Sequence, residues 1–197
     1  LYDNGPLLAL NADAWAATGD PLFARVVEET AAWVMREMQA PGTIGETIGG
    51  SYYSSLDADS EGEEGKYYIW TRGQIQALLT PDQWRAAAPH WGLNDAPNFE
   101  GHWHLKVAQA LDEADRPLIA AARQTLYAAR EQRIRPGCDD KILTSWNALM
   151  IEGMAHAARV FRRPDWLASA QTALDFLRNQ HWQDGQLYAT SRNGQVR

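Results

Sequence analysis

Paired carboxylates beside aromatic rings can do sugar chemistry, because one acid must give a proton while another attacks or activates water. Two places in the chain hold such groups. Asp57 and Asp59 open a loop, residues 57–64, that gathers five carboxylates; strand-like alternation would put these two on the same side. Asp139 and Asp140 stand just before Lys141 and the run Thr144-Ser145-Trp146-Asn147. These four acids are the candidate catalytic groups, as acid, base or hydroxyl binder. Tyr2, Asp3, Asn4, Tyr53, Trp70, Trp146 and Asn147 are the candidate substrate-binding residues, since a sugar needs apolar faces to stack on and partners for its hydroxyls.

Each group has a plainer alternative. The acidic loop can be a solvated turn. Asp57, Asp59, Glu61 and Gly62 match the first half of a calcium loop, but the position that needs a bidentate glutamate holds Tyr68. Asp139 and Asp140 can simply favour the positive end of a helix dipole. His102 and His104 alternate as metal ligands or acid/base groups could, yet no third ligand is evident. No metal and no cofactor is expected.

The elements that must position these residues are mostly helical. Apolar residues at helical spacing predict helices over 6–18 and from Pro21 to about residue 39, the second ended by Pro41 and Gly42. Aromatic residues 66–70 predict a short strand. Thr71 caps a helix to residue 79, Thr80-Pro81 starts another to residue 90, and 117–133, 144–161 and 165–180 complete the set. A shift of 143 positions lays Asn4 on Asn147, Pro21 on Pro164, Phe23 on Trp166 and Trp33 on Phe176. Residues 4–54 thus repeat as 147–189, each a helix pair leading to a glycine turn and a tyrosine-bearing strand. Units that cannot bury their own apolar faces must stack on neighbours. The expected fold class is mainly α: a partial alpha/alpha toroid with short β-hairpins in its loops, 1–197 being a single domain. A non-closing helical bundle is the alternative.

Composition narrows the partners. The net charge of -7 argues against nucleic acid, which needs a basic face. Cys138 is the one cysteine, so neither an internal disulfide nor a thiol pair can form. No apolar run suits a membrane and no signal peptide is visible, so a cytoplasmic chain is expected. Lacking an initial methionine, it reads as a piece of a longer protein.

Several segments carry a family resemblance: Leu1-Tyr2-Asp3-Asn4, residues 49–62 (GGSYYSSLDADSEG), residues 64–71 (EGKYYIWT), Asn98-Phe99-Glu100-Gly101, and residues 139–150 (DDKILTSWNALM). In order and wording they resemble the spermatogenesis-associated, thioredoxin-domain-containing family across nearly the whole chain. The resemblance implies a thioredoxin-like domain elsewhere in the parent chain, as partner to a helical region similar to six-hairpin glycosidases and N-acylglucosamine 2-epimerases. It implies no established reaction. In toroids, clefts lie where loops precede the inner helices, which would put Asp139, Asp140, Trp146 and Asn147 on one rim with Tyr2, Asp3 and Asn4. Two functions stay open. One is a glycosidase- or epimerase-like enzyme taking a small molecule such as a sugar, with Asp57, Asp59, Asp139 and Asp140 converging on one hollow. The other is a non-catalytic module that binds a ligand or protein for the thioredoxin-like domain.

Overall fold

The computed structural model describes residues 1–41 and 49–197, together with the backbone of 43–44 and 47–48. Gly42, expected to help end the second helix, lies outside the described residues. The chain is mainly helical. Its α-helices, among the described residues, are α1 (Asn4–Thr18), α2 (Pro21–Trp33), α3 (Arg72–Leu78), α4 (Pro81–His90), α5 (Arg116–Arg130), α6 (Thr144–Phe161) and α7 (Pro164–Phe176). They fall into two compact units, one made of Leu1–Leu56 with Cys138–Arg197, the other of Asp57–Gly137.

Local chemistry sets the helix ends of the first unit. Pro6 lies in the first turn of α1, where its missing N–H costs nothing. Gly19 ends the helix at φ 68, a conformation that glycine adopts freely. The Asp20 carboxylate then accepts from the Leu22 N–H at 2.8 Å and caps α2. Both α2 and α7 run straight into a π-helical turn, Val34–Met38 and Leu177–His181. The 143-position shift superposes the bounds of α2 on those of α7, and of the first π turn on the second. At the place of Gly19 stands Arg162, also left-handed at φ 55.

The core of this unit is built from small residues and a few large ones. Leu8, Ala12, Val27, Ala31, Met150, Met154, Ala157, Trp166, Ala170 and Ala173 form one cluster around Tyr52. Helices α1 and α6 run side by side in the same direction: Tyr2 meets Trp146, Gly5 meets Leu149 and Gly153, Asp13 meets His156, and Trp15 meets Phe161. A three-stranded antiparallel sheet, Ile142–Leu143 with Thr190–Arg192 with Gln195–Val196, and the pair Ser55–Leu56 with Cys138–Asp139 fix the loops before α6.

His181 ties that sheet to the helices. It is fully buried, with Nδ1 2.6 Å from Thr144 Oγ1 and Nε2 2.7 Å from Ser191 Oγ. Thr144 Oγ1 gives its proton to the Tyr188 carbonyl, so Nδ1 donates to Thr144; in the neutral ring that burial favours, Nε2 then accepts from Ser191. Burial holds its pKa below 6.5, against a smaller opposing effect at Tyr188. A depressed imidazole pKa stabilises the fold fully above the unfolded value and less as pH falls below it. Urea unfolding should therefore show stability declining below about pH 6.5. In His181→Gln the part of that slope due to this group should vanish; an unchanged slope would reject the assignment.

In the second unit, Thr71 and Thr80 each make a capping box, with Gln74 and Gln83, at the starts of α3 and α4. Residues 66–70 are not the expected strand. Gly65, at φ 70, turns the chain, and Tyr68 and Ile69 N–H both bond the Gly65 carbonyl. Arg133 Nη1 donates to the carbonyls of Lys66, Tyr67 and Ile69, and its guanidinium lies 3.9 Å from the Trp70 ring centre. The turn at Gly65 and the three carbonyls gathered on Arg133 stand where a ladder was expected. Only Trp70 pairs in β fashion, with Trp103.

Candidate functional site

Parallel packing of α1 on α6 brings their leading loops to one end of the first unit. There Tyr2, which is exposed, and Trp146, which is half-buried, meet with ring centres 5.1 Å apart. The Leu1 backbone nitrogen bonds the Ser54 carbonyl at 3.1 Å, and Ser54 bonds the Asp139 carbonyl through both its N–H and its hydroxyl. Tyr53 follows on the same strand-like segment, packed on Ile142, Phe176 and Leu177. Its phenol is pushed above the usual range by partial burial and by the nearby Cys138 and Asp140. Tyr2, Tyr53, Asp139, Asp140 and Trp146 thus form one polar-aromatic edge.

The electrostatics of that edge are specific. Lys141 Nζ lies 3.1 Å from Asp139 Oδ2, and Arg192 Nε lies 2.6 Å from Asp140 Oδ1. Partial burial would raise the Asp139 pKa, but the Lys141 ammonium and the Ser54 hydroxyl outweigh it and hold the carboxyl below its ordinary value. Asp139 is therefore an anion at neutral pH, suited to accept a hydroxyl proton or hydrogen bond rather than to give one. The Cys138 thiol is pushed up by burial and by Asp140 and Asp139, opposite to what a reactive thiolate needs.

Asn147 and Trp70 are turned into the fold. Asn147 is fully buried: its Oδ1 accepts from the Tyr52 N–H at 2.8 Å and its Nδ2 donates to the Tyr52 and Leu143 carbonyls. Its amide is used up by the backbone, so it positions a loop and does not face a cleft. Trp70 is buried in the second unit under Arg133, closed to stacking on a ligand. Asp57 and Asp59 also belong to the second unit, both exposed. Asp57 Oδ1 accepts from the Asp59 N–H at 3.2 Å, so the chain bends between them and strand alternation does not hold. Asp3 is exposed and precedes α1 without a side-chain cap. Asn4 lines a hollow of about 270 Å3 with Glu29, Thr30 and Trp33.

In the second unit a cavity of about 440 Å3 was missed by sequence reasoning. Glu61 and Glu63, not Asp57 and Asp59, line it, with Lys66, Tyr67, His102 and Arg133. The signal was the hairpin Asp59–Ser60 with Glu63–Glu64, whose turn residues Glu61 and Gly62 both take positive φ. His102 Nδ1 sits 3.0 Å from the Glu100 carbonyl oxygen, and no cluster of three metal-ligating side chains occurs among the described residues.

Comparison with known proteins places this geometry in context. Spermatogenesis-associated protein 20 of Homo sapiens is 28% identical over 213 residues, and that of Mus musculus 30% identical; both alignments cover 90% of this chain. The chain is homologous to spermatogenesis-associated protein 20. The relatives agree with the family that the motifs resemble. The chain spans about a quarter (26%) of the length of these relatives. No family model matches it. No helix among the described residues is long and apolar enough to cross a membrane.

Proposed function

We propose that the first unit is a sector of an alpha/alpha toroid and that its polar-aromatic edge binds a sugar, as part of a glycosidase- or epimerase-like domain. The observation that carries the reading is the parallel packing of α1 on α6, with Tyr2 against Trp146 at their leading ends. Hairpins whose first helices run parallel stack around a common axis, and their leading loops then open toward the same face. Tyr2, Tyr53 and Trp146 supply ring faces. Asp139, held ionised, supplies a hydroxyl acceptor or base.

One observation favours the second reading, a non-catalytic module working with a thioredoxin-like domain of the parent chain. Asp139 and Asp140 are each paired with a cation, so the edge holds no carboxyl kept ready to give a proton. A screen of sugars against the full-length parent, by calorimetry and product analysis, separates the readings. Trp146→Ala should weaken sugar binding about tenfold, the effect of losing one stacking face. Turnover lost in Asp139→Asn with binding retained identifies the enzyme. Binding without turnover identifies the module. No binding of any sugar ends the carbohydrate reading and leaves a module for another ligand or protein.

A further inference from the structure

A second cavity in the first unit, of about 480 Å3, is lined by Lys141, Arg192 and Arg197, with Thr190, Asn193 and Gln195. Among the described residues no Asp or Glu side chain lines it. With Lys141 and Arg192 each paired to an aspartate, the positive charge of Arg197 is left over, on a chain of net charge -7. Oriented cations in a concave site focus the field on anions.

The three cations are fixed by one sheet. Lys141 precedes strand Ile142–Leu143, Arg192 ends strand Thr190–Arg192, and the Arg197 backbone pairs with Thr190 in both directions, at 2.8 and 3.1 Å. Asp139 and Asp140 steady Lys141 and Arg192 from outside the cavity wall. Arg192 uses Nε on Asp140, and a guanidinium has further N–H donors in a fixed fork that matches a carboxylate or phosphate. Arg197 has no acidic partner among the described residues. Two arginines and a lysine line one hollow; Lys141 and Arg192 are partly neutralised by Asp139 and Asp140, Arg197 is not, and the donors left over suit an oxyanion better than a neutral sugar.

We infer that this cavity binds an oxyanion, the carboxylate or phosphate group of an acidic sugar. The sugar part of this statement rests on the function proposed above; the oxyanion part does not.

The test uses the full-length parent protein and three probes, inorganic phosphate, glucuronate and glucose, titrated by calorimetry at low and high salt. Phosphate and glucuronate should bind in a salt-sensitive manner, and Arg192→Gln should weaken both about tenfold, the loss of one charged hydrogen-bonding group. Arg197→Gln, which breaks no ion pair, should act the same way and covers the case in which Arg192→Gln folds poorly by circular dichroism. Phosphate bound and lost in the variants, with no sugar bound, upholds the cavity and rejects the sugar. Glucose and glucuronate bound equally, and untouched by the variants, upholds the sugar and overturns the oxyanion site. Neither anion bound by the wild-type protein overturns it as well.

Discussion

Replacing Asn147 by alanine is expected to destabilise the fold by about 3 kcal/mol, because it strands both backbone polar groups of Tyr52 in a dry interior. Tyr52 is fully buried, and so is the Asn147 amide that serves it. The loss would spread. Tyr52 hydroxyl and Ser169 Oγ lie 2.7 Å apart, and Ser169 Oγ donates to Gln39 Oε1. Gln39 Nε2 in turn donates to the carbonyls of Gly50 and Ser169. One chain of bonds thus joins α6, α7 and the segment after the first π turn. Removing its anchor leaves the remainder poorly satisfied, and such networks lose more than one bond's worth. Urea unfolding measures the effect. A loss under about 1 kcal/mol, with ligand affinity reduced instead, would return Asn147 to the binding surface. Asn4, its counterpart under the 143-position shift, is only half-buried and makes no such bridge among the described bonds, so Asn4→Ala should cost about 0.5 kcal/mol or less.

That contrast explains what sequence could and could not give. Helices are written locally, in Asp20, Thr71, Thr80, Pro21, Pro81 and Pro164, and these positions mark their starts within a residue or so. The π turns at Val34 and Leu177 were hidden, because their residues differ little from those of an ordinary helix. The strand expected at residues 66–70 failed for a nonlocal reason. Aromatic residues there favour a strand by pattern, but Arg133, distant in sequence, gathers their carbonyls.

The site divides the same way. The meeting of Tyr2 with Trp146 could be expected because each precedes or opens a helix, and two helices that repeat in sequence pack in parallel. Asn147 could not be told from a ligand contact, since the same amide serves a backbone or a sugar equally well. Arg192 and Arg197, which line the cationic cavity, were invisible as a pair with Lys141. Their strands meet only through the sheet register that joins Thr190 to Leu143 and Ser191 to Ile142.

The close approach of α1 to α6 gives the other large effect. A Cβ on Gly153 would overlap the backbone of Gly5, and one on Gly5 would overlap the backbone of Leu149 and Met150. Backbone cannot rotate aside as a side-chain tip can, so the helices must separate along the whole unit and loosen the contacts of Leu8, Ala12, Met150 and Met154. Overpacking of this kind costs about 3 kcal/mol. Alanine's better helix propensity offsets about 1 kcal/mol of it, so Gly153→Ala should lose about 2 kcal/mol, and Gly153→Val, which gains little from propensity, about 3 kcal/mol or more. Gly73 in α3 is the control: a Cβ there meets nothing within 4 Å, so Gly73→Ala should be neutral or stabilising. If both alanine variants unfold at the same urea concentration as the parent, the parallel contact between α1 and α6 is not tight. The placement of Tyr2 beside Trp146, and the binding edge built on it, would then lose its support.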